Sequence, residues 1–226
     1  MVTAYPNGYP INRTFIQEVS ALFFTRRQVR EHFEQNARRD LSPVEDEDGI
    51  LNGQGREGLR ELSFGFSNVG HAGCESIAVY NALRLLGLPR PLPEVIRDME
   101  RGGYMRLWGH MGAAPYFQPL LRRYGASSRV VNPHRLQRRA GAGELPPGSV
   151  YLFCIWNDRL RFYKGLHTFA GIWSPDGAPG WVIFNRFNND RARRRYVSLA
   201  DVLKNGRTTG AYLVVYEVRR QGRPVP

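Results

Sequence analysis

The sequence predicts an α+β fold, and three observations carry that prediction. Helical apolar spacing dominates the first 125 residues, strand-like apolar runs follow Pro146-Pro147-Gly148, and one turn signal joins two of those runs as a hairpin. Helices first and antiparallel strands afterwards exclude a regular βαβ alternation.

The elements follow in order. Residues 12–36 read as a helix opened by Asn12, with Phe15, Ile16, Val19, Leu22, Phe23, Val29 and Phe33 near helical spacing. Residues 37–60 turn polar, with the acidic run Glu45-Asp46-Glu47-Asp48 and several glycines, and read as a loop or linker. The expected organisation is therefore an N-terminal helical arm and polar linker over 1–60 and a main domain over 61–226. The arm's helix either packs on the domain as ordinary core or serves as a covering segment or partner-binding helix. Ser76 to Leu86 forms a strong helix stopped by Gly87, with Pro89 beyond it. Further helices are expected over 91–101, started by Pro91 and Pro93, and over 112–124, before Gly125. The strands are 150–156, 167–173, 181–185 and 211–217, and Ser174-Pro175-Asp176-Gly177 supplies the hairpin turn.

Composition bounds the function. The 226 residues are 42% hydrophobic and 12% aromatic, enough for a sizeable core and against general disorder. A formal charge of +12 comes mostly from arginine, partly clustered at 26–27, 122–123, 138–139, 193–195 and 219–220. Such a balance suits an anionic partner, or simply a solvated arginine-rich surface, since no nucleic-acid motif accompanies it. No signal-peptide pattern and no run approaching about 18 apolar residues is present, so a cytoplasmic setting without a membrane span is expected, with signal-independent secretion left open. Two cysteines, Cys74 and Cys154, lie in contexts too different to suggest a disulfide, and no Cys/His cluster suggests a metal.

Cys74 carries the chemistry. It ends the run Gly70-His71-Ala72-Gly73-Cys74 and stands at the start of the strong helix, where helix amides favour a thiolate over a free thiol of pKa about 8.5. Cys154 lies inside an apolar strand and reads as structural. A nucleophilic cysteine needs a base held by a third group. Of the five histidines, His32 and His134 read as surface residues and His71 would have to bend back past the helix start. His110, in the loop Gly109-His110-Met111-Gly112, competes for a substrate-side role, with Trp108 beside it. His167 opens a strand after a loop and is the preferred base, and Asn185 lies 18 residues on, at the end of the next strand. A hairpin would set them side by side and let the amide oxygen of Asn185 hold the imidazole N–H. Asn188, Asn189 and Asp190 compete for that orienting role. Asn68, six residues before Cys74, would join the Cys74 N–H as an oxyanion donor.

This order of residues resembles the papain-like cysteine peptidase superfamily, whose sites run oxyanion glutamine, cysteine, histidine, then asparagine or aspartate. Gly73-Cys74 and the helix after them, Leu120-Leu121-Arg122-Arg123-Tyr124-Gly125, Pro147-Gly148-Ser149-Val150 and the His167 strand are most similar to the compact bacterial branch that removes double-glycine leaders from bacteriocin precursors. The likeness spans roughly residues 64–217, with Asn68 in the glutamine's place and Asn185 where that branch more often has aspartate. It implies a papain-like fold, with the nucleophile at a helix N-terminus packed on an antiparallel sheet. It also implies hydrolysis of a peptide or isopeptide amide in a protein or peptide substrate, without metal or organic cofactor. Deamidation or transglutamination on the same fold, and a non-catalytic basic binding module, are the rival expectations.

Overall fold

The computed structural model describes residues 25–102, 117–161, 165–176, 178–206 and 208–222, with the backbone alone of 105–106 and 111–112. In chain order the elements are α1 (Arg26–Ala37), β1 (Ser63–Phe64), β2 (Ser67–Asn68), α2 (Val69–Ala72), α3 (Cys74–Leu85), α4 (Leu92–Arg101), β3 (Met105–Arg106), β4 (Met111–Gly112), α5 (Phe117–Arg123), β5 (Ala126–Val130), α6 (Pro133–Gly141), β6 (Val150–Trp156), β7 (Leu166–Ser174), β8 (Gly180–Phe184), β9 (Arg194–Tyr196), α7 (Leu199–Val202), β10 (Lys204–Asn205), β11 (Thr208–Thr209) and β12 (Ala211–Arg220). The chain is thus mixed helix and antiparallel sheet, the α+β organisation.

One six-stranded sheet, ordered β5-β12-β6-β7-β8-β9 and antiparallel throughout, forms the centre. Strand side chains alternate between faces, and the sheet is covered on both. One face presents Leu152, Cys154, Ala170, Phe184 and Tyr216 to a core that includes Ile77, Ala78 and Leu83 of α3. The other presents Tyr151, Phe153, Phe169, Trp181 and Ile183 to Leu136 of α6 and Leu199 and Val202 of α7. Burial on both sides explains why β6 and β8 read as unbroken apolar runs. Each fully buried leucine or phenylalanine contributes about 2 kcal/mol through removal from water.

α3 packs on β7 and β6, so the sheet fixes its first turn against the start of β7. Gly73 permits the bend from α2 into α3: a Cβ there would lie 2.6 Å from the Cα of Val69. Beyond Leu85 the chain leaves the helix through Gly87, whose φ of +67° suits glycine.

The N-terminal region departs from expectation. Within the described residues α1 begins at Arg26, capped by Thr25, which accepts from Gln28 N while the Gln28 side chain accepts from Thr25 N; a start at Asn12 lies outside them. α1 packs on α4, with His32 Nδ1 2.9 Å from Glu100 Oε1 and the Arg97 guanidinium over the Phe33 ring. The segment expected as a polar linker buries Val44, Ile50, Leu51 and Leu59 in the main core. Part of its backbone is satisfied by distant side chains. Asn81 of α3 accepts from Leu51 N at 2.9 Å and donates to Leu51 O at 2.8 Å. His134, expected in a loop, stands in the first turn of α6, where Asn132 caps the helix and Pro133 occupies its start. No helix among the described residues is long and apolar enough to cross a membrane.

Candidate active site

Cys74 is the first residue of α3 and is partly exposed, in contrast to Cys154, which is 2% exposed on β6. Two groups act on both thiols. Glu75, buried in the first turn of α3, raises the pKa of each. Thr168 on β7 favours each thiolate, through its backbone N–H at Cys74 and through its hydroxyl, 2.8 Å from the sulfur, at Cys154. Burial is the larger influence at both. It pushes Cys74 well above the usual thiol range and Cys154 up to about 12. Both shifts favour the thiol over the thiolate, less firmly at the partly exposed Cys74.

His167 precedes Thr168 on the same strand, so its ring turns to the opposite face, 5.8 Å from the Phe169 ring between centroids. Its Nε2 lies 2.7 Å from the main-chain oxygen of Asn185. A carbonyl only accepts, so the neutral ring carries its proton on Nε2 and presents Nδ1 as the basic atom. Burial, and the charge of Arg186, lower its pKa to about 4 against the favourable Asn185 contact. Cys74 and His167 therefore flank Thr168, each neutral, and no hydrogen bond joins them among the described residues.

Asn185 sits beside His167 as the hairpin spacing predicts, but the expected atom is corrected. The carbonyl, not the amide, holds the imidazole. The amide is engaged elsewhere: its Oδ1 accepts from Gly53 N (3.0 Å) and Gln54 N (3.1 Å), and its Nδ2 donates to Gln54 Oε1 (3.2 Å). Asn52 Oδ1 in turn accepts from Asn185 N at 2.8 Å. These contacts hold Asn185 at φ +57°, a left-handed conformation that asparagine tolerates better than most residues. The twist ends β8 and swings the carbonyl toward β7. Asn188 and Asn189 lie on the following turn, where Gly55 N donates to Asn188 O, and Asp190 pairs with Arg194.

Asn68 is exposed and caps α2, its Oδ1 accepting from His71 N at 2.9 Å. It lines a shallow surface pocket with Gly70, His71 and Asn188. The amide nitrogen remains the donor available for an oxyanion, while the oxygen is committed to the cap. His110 and Trp108 lie outside the described residues. Among those residues no cluster of three or more His, Cys, Asp or Glu is placed to hold a metal ion.

Four participants were not read from the sequence. Thr168 looks like any strand threonine, and only the packing of α3 on β7 reveals that it touches both cysteines. Asn52 and Gln54 belong to Asn52-Gly53-Gln54-Gly55, whose alternating glycines invite a linker reading. Arg186, 4% exposed, follows Asn185 directly, and a lone charge after an apolar strand was the one local sign of it. Comparison of the chain with protein-family models, with curated proteins and with solved structures gave no match in any of the three.

Proposed function

We propose that the chain is a papain-like cysteine hydrolase that performs acyl transfer on a peptide or isopeptide amide, with Cys74 as nucleophile and His167 as base. The observation that carries this reading is the fixed tautomer of His167. The Asn185 carbonyl engages Nε2–H and leaves Nδ1 to take a proton, on a strand whose next residue abuts a cysteine at a helix N-terminus. The neutral thiol and neutral ring favour general-base catalysis over a resting ion pair. In the first step the thiol proton passes to Nδ1 as the sulfur attacks the carbonyl carbon. Collapse of the tetrahedral intermediate expels the amine, which takes that proton, and leaves a thioester; water then releases the acid. The Cys74 N–H and the Asn68 amide nitrogen are the proposed oxyanion donors. The resting His167 ring faces away from the Thr168 side. It must therefore swing toward Cys74 when substrate binds, and the Cys74–His167 contact forms only in that complex. Deamidation or transamidation differs only in the amine that leaves or enters.

A second reading, a non-catalytic module that binds an anionic partner, is favoured by the protonated Cys74 thiol. Against it, part of the arginine surface is paired with carboxylates: Arg193 with Asp46 and Asp48, Arg194 with Asp190, and Arg129 and Arg219 with a shared Glu217. Incubation of the full chain with a peptide library, followed by mass spectrometry, separates the two. Products that vanish with Cys74→Ser and His167→Ala but persist with Cys154→Ser are expected. Products that survive Cys74→Ser, or a Cys74 that alkylates no faster than Cys154 and yields no product, would sink the enzyme reading. Partner binding that collapses steeply with added salt would then support the module.

A further inference from the structure

Hydrolysis leaves the buried guanidinium of Arg186, beside the site, unexplained. It is 4% exposed, and among the described residues no carboxylate stands within ion-pairing distance of it. Its Nε donates to Val202 O at 2.9 Å, and its plane lies over the rings of Phe187 (4.7 Å) and Phe169 (5.4 Å). Its Nη2 is buried with no hydrogen-bond partner. The same side chain lines a cavity of about 300 Å³ together with His167, Asn188, Asn205 and Thr208.

Burying a cation without a counter-charge is costly, and a hydrocarbon side chain would fill the space between two phenylalanines without that cost. An arginine kept there, with an unsatisfied nitrogen beside a polar cavity, fits a site completed by an anion. From this we propose that the cavity beside His167 is a carboxylate-binding pocket in which Arg186 supplies the counter-charge. One buried cation balances one negative charge, which favours a carboxylate over a phosphate dianion. A carboxylate oxygen on Nη2 makes a charge-assisted hydrogen bond, and the Asn188 and Asn205 side-chain amides are neutral donors for the remaining lone pairs. The volume lies at the small end of ligand pockets, enough for one acidic side chain or one terminal residue. If the hydrolase reading holds, as this extension requires, the carboxylate belongs to the peptide substrate and sits beside the base.

The test measures binding to the full chain by calorimetry at fixed ionic strength, so it does not depend on turnover. The probes are N-acetylglutamic acid α-amide for a side-chain carboxylate, N-acetylglutamine for a terminal one, N-acetylglutaminamide as the neutral control, and inorganic phosphate. One of the two carboxylates is expected to bind about tenfold more tightly than the neutral control, and which one identifies the source. Arg186→Gln should erase the difference, while Cys74→Ser should retain it, so that loss of the catalytic reading leaves this result standing. Should Arg186→Gln fail to fold, Asn188→Ala and Asn205→Ala each weaken binding about threefold with unchanged melting. Binding should also raise the NMR titration of the His167 ring, because it offsets the Arg186 charge. Equal binding of the neutral control, or tighter binding of phosphate than of either carboxylate, would overturn the proposal.

Discussion

The interior of the sheet around Cys154 and its end around His167 are buried equally well but built from different chemistry. In the interior, Phe153 stacks on Phe169 at 5.4 Å and meets Trp181 edge-on, and the buried thiol is satisfied by Thr168. At the strand end the buried groups are Asn52, Gln54, His167, Asn185 and Arg186, held by hydrogen bonds reaching more than 130 residues along the chain. Apolar packing is non-directional and tolerates small shifts, whereas a hydrogen-bond network fixes particular atoms. The interior therefore carries stability, and the end carries position.

The largest expected effect lies in the interior. Phe153→Ala should cost about 3–5 kcal/mol of unfolding free energy in a denaturant titration, through lost burial and a residual cavity. A cost below that of the strand-end variants would invert the comparison. His167 comes next, through its protonation. The unfolded imidazole takes a proton near pH 6.5 and the folded one only near 4, so the stabilisation is fully present above 6.5 and is lost as pH falls toward 4. The loss amounts to about 3 kcal/mol at most, and His167→Gln should flatten the slope of stability between those pH values. Asn185→Gly follows, at about 2 kcal/mol. It keeps the left-handed backbone and the carbonyl but strips the amide from Gly53 and Gln54. The His167 titration should stay where it is in that variant; movement would mean that the amide, not the carbonyl, governs the ring. Smallest is Cys154→Ser, which preserves a hydrogen bond to Thr168 and should cost about 1 kcal/mol while leaving alkylation of Cys74 unchanged.

The same division explains what could be read in advance. β6 and β8 announce themselves because burial on both faces makes them continuously apolar, and α3 because its apolar residues follow helical spacing. β5 and β9 do not, since an edge strand such as Ala126-Ser127-Ser128-Arg129-Val130 buries only Ala126 fully. α6 offers two fully buried side chains, Leu136 and Ala140, and an Asn-Pro start that also reads as a turn. The segment 37–60 resembled a linker because partners of its backbone, Asn81 and Asn185, belong to other parts of the chain. At the candidate site, the placing of Cys74 at a helix start and of His167 beside Asn185 followed from local pattern and hairpin register. Which atom of Asn185 meets the ring depends on a left-handed twist fixed by Asn52 and Gln54, and no local pattern encodes that.

The placement of β12 has a consequence for how the protein comes to be made. That strand pairs with β6 on one side and β5 on the other, although more than 80 residues separate it in sequence from β5. While the chain is being synthesised, β5 has no strand to join until residues 211–220 have cleared the ribosome, and β6 lies open along one side. Sheet closure of this long-range kind is slow and comes late. Cys74 and His167 are thus translated well before the sheet that positions them is complete. The strand end that holds His167 and Asn185 reaches its final geometry only with the last interior strand.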